Sequence, residues 1–340
     1  MALMVGCMSA FAQKIDKNEL KELQAFLAQP AEKHATNAAA LKITDVKAPA
    51  TWEGVTVENG HITAIEWADK HLAGTLNLAG FSQLTKLNVS RNALTALNLD
   101  GCANLARVDA QRNRIAEVNL NGCSGLQTLN IYKNRLPEIN MAQTPLIETV
   151  NISNNYLVGL DVANSSTLKT LNCQGNHLEM LKVENCTNLK NLYCGYNKLT
   201  GLTLVGVENL QNLNIDDNEI SSLIVSNLPA LTHCKRLHVV VGADECAQCG
   251  EIAYNNLTTL SVTDCPQLIF VDCSYNDLTQ LTLSNQTFLQ RLLCNNNQLT
   301  MLDVQFDQAL TYINCRYNMI TDLRTVGCNS LSMIACQWNY

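Results

Sequence analysis

Apolar and polar residues follow a 21-residue frame along most of the chain. Around Asn134 the apolar positions are Leu126, Leu129, Ile131, Leu136, Ile139 and Met141. The following blocks repeat the frame with Val150, Ile152, Leu157, Leu160 and Val162, then Leu168, Leu171, Cys173, Leu178, Leu181 and Val183. Two stretches of each block alternate with period two, the pattern of a short, half-buried strand. No helical stripe of ten residues fits between them. The frame therefore predicts two short strands per block, apolar faces inward. One block cannot bury its own apolar face, so the blocks must stack into a solenoid.

Asparagine marks the frame. Asn92, Asn113, Asn134, Asn155, Asn176, Asn197 and Asn218 are spaced 21 residues apart, and the series resumes at Asn255, Asn276, Asn297, Asn318 and Asn339. A tight bend turns backbone N–H and C=O groups inward, away from water. A buried Asn amide offers two donors and an acceptor and can satisfy them turn after turn. The ladder is read as structural.

The segment Leu189-Lys-Asn-Leu192-Tyr-Cys194-Gly-Tyr-Asn197-Lys-Leu199 has the form L-x-x-L-x-C-x-x-N-x-L, and twelve such copies cover residues 84–340. The chain thus resembles the leucine-rich repeat family, in particular its bacterial internalin-like class. The resemblance implies a β-rich leucine-rich-repeat solenoid, right-handed, with a parallel β-sheet on the concave face, used for binding. Thr51-Trp52-Glu-Gly-Val55, leading to Ile62-Thr-Ala-Ile65 and Leu76-Asn-Leu78, looks like the first rung of such proteins, over residues 51–83. Residues 13–50 read as a small N-terminal helical cap. Asp16 to Leu27 has helical spacing and Pro30 follows as a stop.

Composition refines this picture. The net charge of −7 argues against general nucleic-acid binding. Residues 1–12 carry no charge, and Ala10-Phe11-Ala12 has the form of a signal-peptidase site. The start reads as a remnant signal peptide, with lipoprotein anchoring at Cys7 as the rival, and the C-terminal end reads as truncated. The expected location is extracytoplasmic, secreted or at the cell surface. No stretch is long and apolar enough for a transmembrane helix. The expected state is a monomer.

The chain has fifteen cysteines. Cys173, Cys194, Cys273, Cys294, Cys315 and Cys336 all stand three residues before a ladder asparagine, where Val89, Ile131, Ile152, Ile215 and Ile252 stand in other blocks. Exchange with Ile and Val marks them as small buried hydrophobes. A second set, Cys102, Cys123, Cys186, Cys265 and Cys328, follows the asparagine by ten residues and alternates with Thr144, Ser165 and Leu228. Strands stack ~4.8 Å apart, whereas a disulfide wants Cβ atoms near ~3.8 Å, so mostly free thiols are expected. Between Asn218 and Asn255 the frame is interrupted by about residues 235–250. Cys246 and Cys249 lie there, with Cys234 and His238 nearby. These four are weak metal candidates; a local disulfide, free thiols and redox chemistry are the alternatives. No cofactor is expected.

Nothing reads as catalytic: the six histidines are scattered, and no G-x-S-x-G, H-E-x-x-H or phosphate-cradling loop occurs. The chain is read as a binding protein, not an enzyme. Outward strand positions are Asn88, Asp109, Asn130, Asn151, Asn172, Tyr193, Asn214, Asp272, Leu293 and Asn314. The position before the ladder asparagine changes from basic (Arg91, Arg112, Lys133) to aromatic (Tyr196, Tyr254, Tyr275, Tyr317, Trp338). With Tyr193 these are the partner-binding candidates, since rigid aromatics bring contact area with little rotamer loss. The expected partner is a protein or a glycan, with no nucleic acid. A structural spacer of the envelope is the alternative, and a module acting through Cys246 and Cys249 a third.

Overall fold

A computed structural model describes residues 15–231, 233–234 by backbone alone, and 255–340. The remnant leader with Cys7, the residues His238, Cys246 and Cys249, and Tyr254 lie outside the described residues, and Cys234 is placed only by its backbone. The described chain forms two compact units, Met1–Leu126 and Gln127–Tyr340.

The first unit opens with helix α1 (Lys17–Leu27), whose N-cap Asp16 accepts from the N–H groups of Asn18 and Glu19. Its apolar side buries Leu23, Phe26 and Leu27, and the Phe26 ring stacks on Trp67 at 6.0 Å. A hairpin follows, Val55–Glu58 against His61–Glu66, closed by Asn59 and Gly60 at positive φ. From there strands run parallel: His61–Glu66 pairs with Lys86–Asn88, and that strand with Arg107–Asp109. A second sheet stacks Ala73–Asn77, Ala93–Asn98 and Glu117–Asn119. The N-terminal segment covers the edge of Ala73–Asn77 with amide side chains. Gln29 donates to Thr75 O and accepts from Thr75 N, and Asn37 does the same with Ala73. Side-chain amides here take the place of a missing strand, which blunts an edge that would otherwise template pairing.

The second unit repeats one coil. Thr128–Asn130, Thr149–Asn151, Thr170–Asn172, Asn191–Tyr193 and Asn212–Asn214 stack in parallel register, each residue opposite its equivalent one turn on. Phe270–Asp272, Arg291–Leu293, Tyr312–Asn314 and Met333–Ala335 do the same. On the back, Ser222–Ser226 pairs with Thr259–Thr263, so Leu223 faces Leu260 across the interruption. The extra residues thus leave the stack of coils in step.

The asparagines do the work their spacing implied. Asn155 donates from Nδ2 to Ile152 O at 3.0 Å in its own turn and to Ile131 O at 2.9 Å in the previous one, and its Oδ1 accepts from Leu136 N at 3.0 Å. The same triad recurs at Asn176, Asn197, Asn218, Asn297 and Asn318, all buried.

The expectation of two strands per block needs correction at two turns. Back strands such as Gly159–Asp161 with Met180–Lys182 form, but 138–140 and 201–204 carry none. Pro137 lacks the N–H a ladder needs. Gly201 brings no side chain to pack and gains backbone entropy when released. Ile139 and Met141 are consequently half-exposed rather than core. Shallow grooves of about 540 and 580 Å³ open on the back beside these breaks.

Candidate functional site

Each described corner just before a ladder asparagine is sharp, and the residue there is left-handed. In the first unit Arg91 and Arg112 have φ of 56° and 55°; in the second, Lys133, Tyr196, Tyr275, Tyr317 and Trp338 have φ of 56°, 55°, 54°, 54° and 64°. The corner is needed because it aims the N–H along the stack. Tyr196 N donates to Asp216 O at 2.8 Å, and Tyr275 N to Asn295 O at 3.0 Å. Left-handed backbone costs a residue with a Cβ roughly 1 kcal/mol, and Gly or Asn tolerates it best. Gly175, Asn154 and Asn296 occupy the same corner in other turns. Tyrosine and tryptophan at this place are therefore not chosen by the backbone.

Their side chains face solvent. Tyr196 is 41% exposed, Tyr275 47%, Tyr317 51% and Trp338 70%. The Tyr317 and Trp338 rings stack at 5.8 Å and 7°. Arg91, Arg112 and Lys133 are exposed as well. Beside this row lies a second pair, Tyr156 stacked on His177 at 5.9 Å and 14°, which the sequence reading passed over. Its signal was the 21-residue spacing of the two rings.

The outward strand positions prove less available than expected. Asn88, Asp109, Asn130, Asn151 and Asn172 turn Oδ1 back onto the N–H two residues on, at 3.1 to 3.3 Å, and so close the bend after each strand. Asn214 and Asp272 are buried, which removes them from any contact surface. Asp272 accepts from Ser274 N and Oγ. Tyr193 is half-buried in its strand, and burial raises its phenol pKa.

One in-register row went unread in the sequence. Phe270, Arg291 and Tyr312 occupy the same place in three successive strands. The Arg291 guanidinium carbon lies 5.8 Å from the Phe270 ring centroid and 5.3 Å from that of Tyr312. The equivalent row earlier in this unit is uncharged: Thr128, Thr149, Thr170, Asn191 and Asn212. There the side chains bond to one another, Asn191 Nδ2 to Thr170 Oγ1 at 3.0 Å and Asn212 Nδ2 to Asn191 Oδ1 at 2.5 Å.

Eleven cysteines among the described residues are free thiols. Most are buried, and burial pushes Cys102 and Cys173 up to about 12 and Cys123 and Cys315 up to about 11. The second set has a role beyond filling space. Cys102, Cys123, Cys186 and Cys328 each direct Sγ at a carbonyl of the preceding turn, 2.9 to 3.2 Å away. Gln286 stands at the same place and donates to Val262 O, the equivalent carbonyl. A high pKa and no solvent access leave too little thiolate to react. Native protein treated with iodoacetamide at pH 8 should label exposed Cys336 while Cys173, Cys194, Cys273 and Cys294 stay unmodified until denaturant is added; peptide mapping by mass spectrometry checks this. Among the described residues no group of three or more His, Cys, Asp or Glu is placed to hold a metal.

No family profile and no curated protein sequence matches the chain. Solved structures match its fold. The functional domain of InlJ from Listeria monocytogenes, which includes a cysteine ladder, aligns over 89% of this chain and 61% of its own, at 24% identity and a TM-score of 0.54. The leucine-rich effector YopM from Yersinia pestis aligns over 78% of both chains, at 20% identity and a TM-score of 0.53. PEPR1, in its structure with AtPEP1, aligns over 91% of this chain and 51% of its own, at 18% identity and a TM-score of 0.61. This chain therefore spans less than two thirds of the InlJ and PEPR1 chains.

Proposed function

We propose that this leucine-rich-repeat solenoid is a recognition module, secreted or displayed on a cell surface, which binds a protein partner along the corner row of its second unit and the adjoining sheet face. The observation that carries this reading is the exposure of Tyr196, Tyr275, Tyr317 and Trp338 at left-handed corners. A chain under selection for stability alone would place Gly or Asn there. Large aromatics on a rigid scaffold are the usual anchors of protein contacts. Lys133 adds basic charge to the corner row of the second unit and would help steer an acidic partner, while Arg91 and Arg112 hold the equivalent corners of the first unit. Similarity to PEPR1, whose structure includes AtPEP1, is in keeping with this role. Buried thiols of high pKa are compatible with an oxidising compartment, because oxidation proceeds through the thiolate.

The triple variant Tyr196→Asn, Tyr275→Asn, Tyr317→Asn tests the reading. Relief of left-handed strain should leave the melting temperature unchanged or raise it by a few degrees, each site contributing about 0.5–1 kcal/mol. Partners captured by the wild type in cross-linking pull-downs should be lost. If the melting temperature falls and capture persists, the rings merely cover the corner and the proposal is wrong.

A further inference from the structure

We infer that Arg291 is the charged anchor of the contact and receives a carboxylate from an acidic, partly apolar segment of the protein partner. This deepens the recognition role proposed above and rests on it. The sheet face of the second unit is divided in kind. Its earlier strands offer neutral Thr and Asn side chains bonded among themselves, as between Thr170, Asn191 and Asn212. Its later strands hold one half-exposed cation between the buried Phe270 ring and the half-exposed Tyr312 ring.

Three observations point to an anion for Arg291. Its guanidinium is held between Phe270 and Tyr312, so its direction is set before a ligand arrives. No carboxylate among the described residues pairs with it, although Arg324, on a back strand of these turns, is paired with both Asp322 and Asp303. Arg291 is only half-exposed, in a setting where a guanidinium gains more from a bidentate partner than it does in open water.

The chemistry of the ligand follows from the surroundings. Arg316, also near this face, donates to Gln337 Oε1 and keeps its charge, so the described part of this face carries two arginines rather than a basic tract. A polyanion such as nucleic acid or a sulfated glycan would need several cations in a row, and the chain carries net charge −7. One fixed guanidinium flanked by Phe270 and Tyr312, near the exposed corners Tyr275 and Tyr317, fits one carboxylate set among apolar side chains. Arg, Tyr and Trp clustered together are the composition of an interface hot spot.

A phage-displayed peptide library panned on the full chain tests this. Enriched peptides should carry Asp or Glu beside aliphatic or aromatic residues, and their synthetic forms should bind more weakly as ionic strength rises. Arg291→Ala should weaken them about tenfold or more, and Arg291→Lys should restore little, because an ammonium lacks the planar fork. Thermal melts confirm that both variants remain folded. Enriched peptides without acidic residues, or affinity for Arg291→Ala within about twofold of wild type, would overturn the inference. Peptides that need Tyr275 and Tyr317 but not Arg291 would sink it and leave the recognition role standing. Peptides that need Arg291 alone would sink the aromatic anchor instead. Failure to enrich any peptide, or tighter binding of heparin than of peptide, would count against both.

Discussion

Replacing Asn176 by alanine should lower the free energy of unfolding by about 4 kcal/mol, measured by denaturant titration. The side chain donates to Cys173 O at 3.0 Å and to Ile152 O at 3.1 Å, and accepts from Leu157 N at 3.0 Å. All three backbone groups lie where water does not reach, and each left without a partner costs about 1–3 kcal/mol. Aspartate would be worse than alanine, since it replaces two donors by a buried charge. Asn256, the exposed asparagine next to ladder residue Asn255, makes the control. Its alanine variant should stay within about 0.5 kcal/mol of wild type. Equal effects at the two sites would show that the buried amides do not hold the turns together.

The second large effect concerns a residue whose removal should help. Asp216 is fully buried, and the Asn214 and Tyr196 side chains, which favour its charged form, offset that burial only in part. Burial, then the charge of Asp217, pushes its pKa from 3.8 up to about 6. Room for the carboxyl exists because residue 195 is glycine: a Cβ there would sit 2.1 Å from Asp216 Oδ1 and 2.5 Å from Asn214 Oδ1. The folded state thus favours the neutral acid. Its stabilising effect is complete below the unfolded value of 3.8 and is lost as pH rises through about 6. The loss is about 3 kcal/mol between those limits. Asp216→Asn should abolish this step and raise the melting temperature at pH 7.5 while leaving it unchanged at pH 4. Asp307, raised to about 6 by burial and by Asp303, titrates in the same window, so part of the pH dependence should survive in the variant. A melting temperature at pH 7.5 that falls in Asp216→Asn would mean that the carboxylate is bound to something there.

Much of the candidate site was visible as spacing and little of it as geometry. The corner row was legible because residues 21 apart must stack once the period is known. That the corner is left-handed was not, because Tyr and Trp at that place conceal the Gly and Asn signal by which such corners are normally recognised. The outward Asn row was read as open surface. It folds back on its own strand ends because an Asn carbonyl can reach the N–H two residues on. Phe270, Arg291 and Tyr312 were overlooked although they too are spaced by 21 residues. They form a unit only when strands ~4.8 Å apart bring ring and guanidinium face to face.

Periodicity by itself determined the coil, its in-register stacking, the inward cysteines and the buried asparagine ladder. Each depends only on which residues recur at a fixed interval, and a strand pairs with its equivalent in the next turn. Tertiary structure alone decided where the back strands fail, which outward residues are locked or buried, and which cation is left without an acid among the described residues. These depend on the distances between side chains of different turns and on the water excluded there, and neither quantity is carried by the order of residues along a single turn.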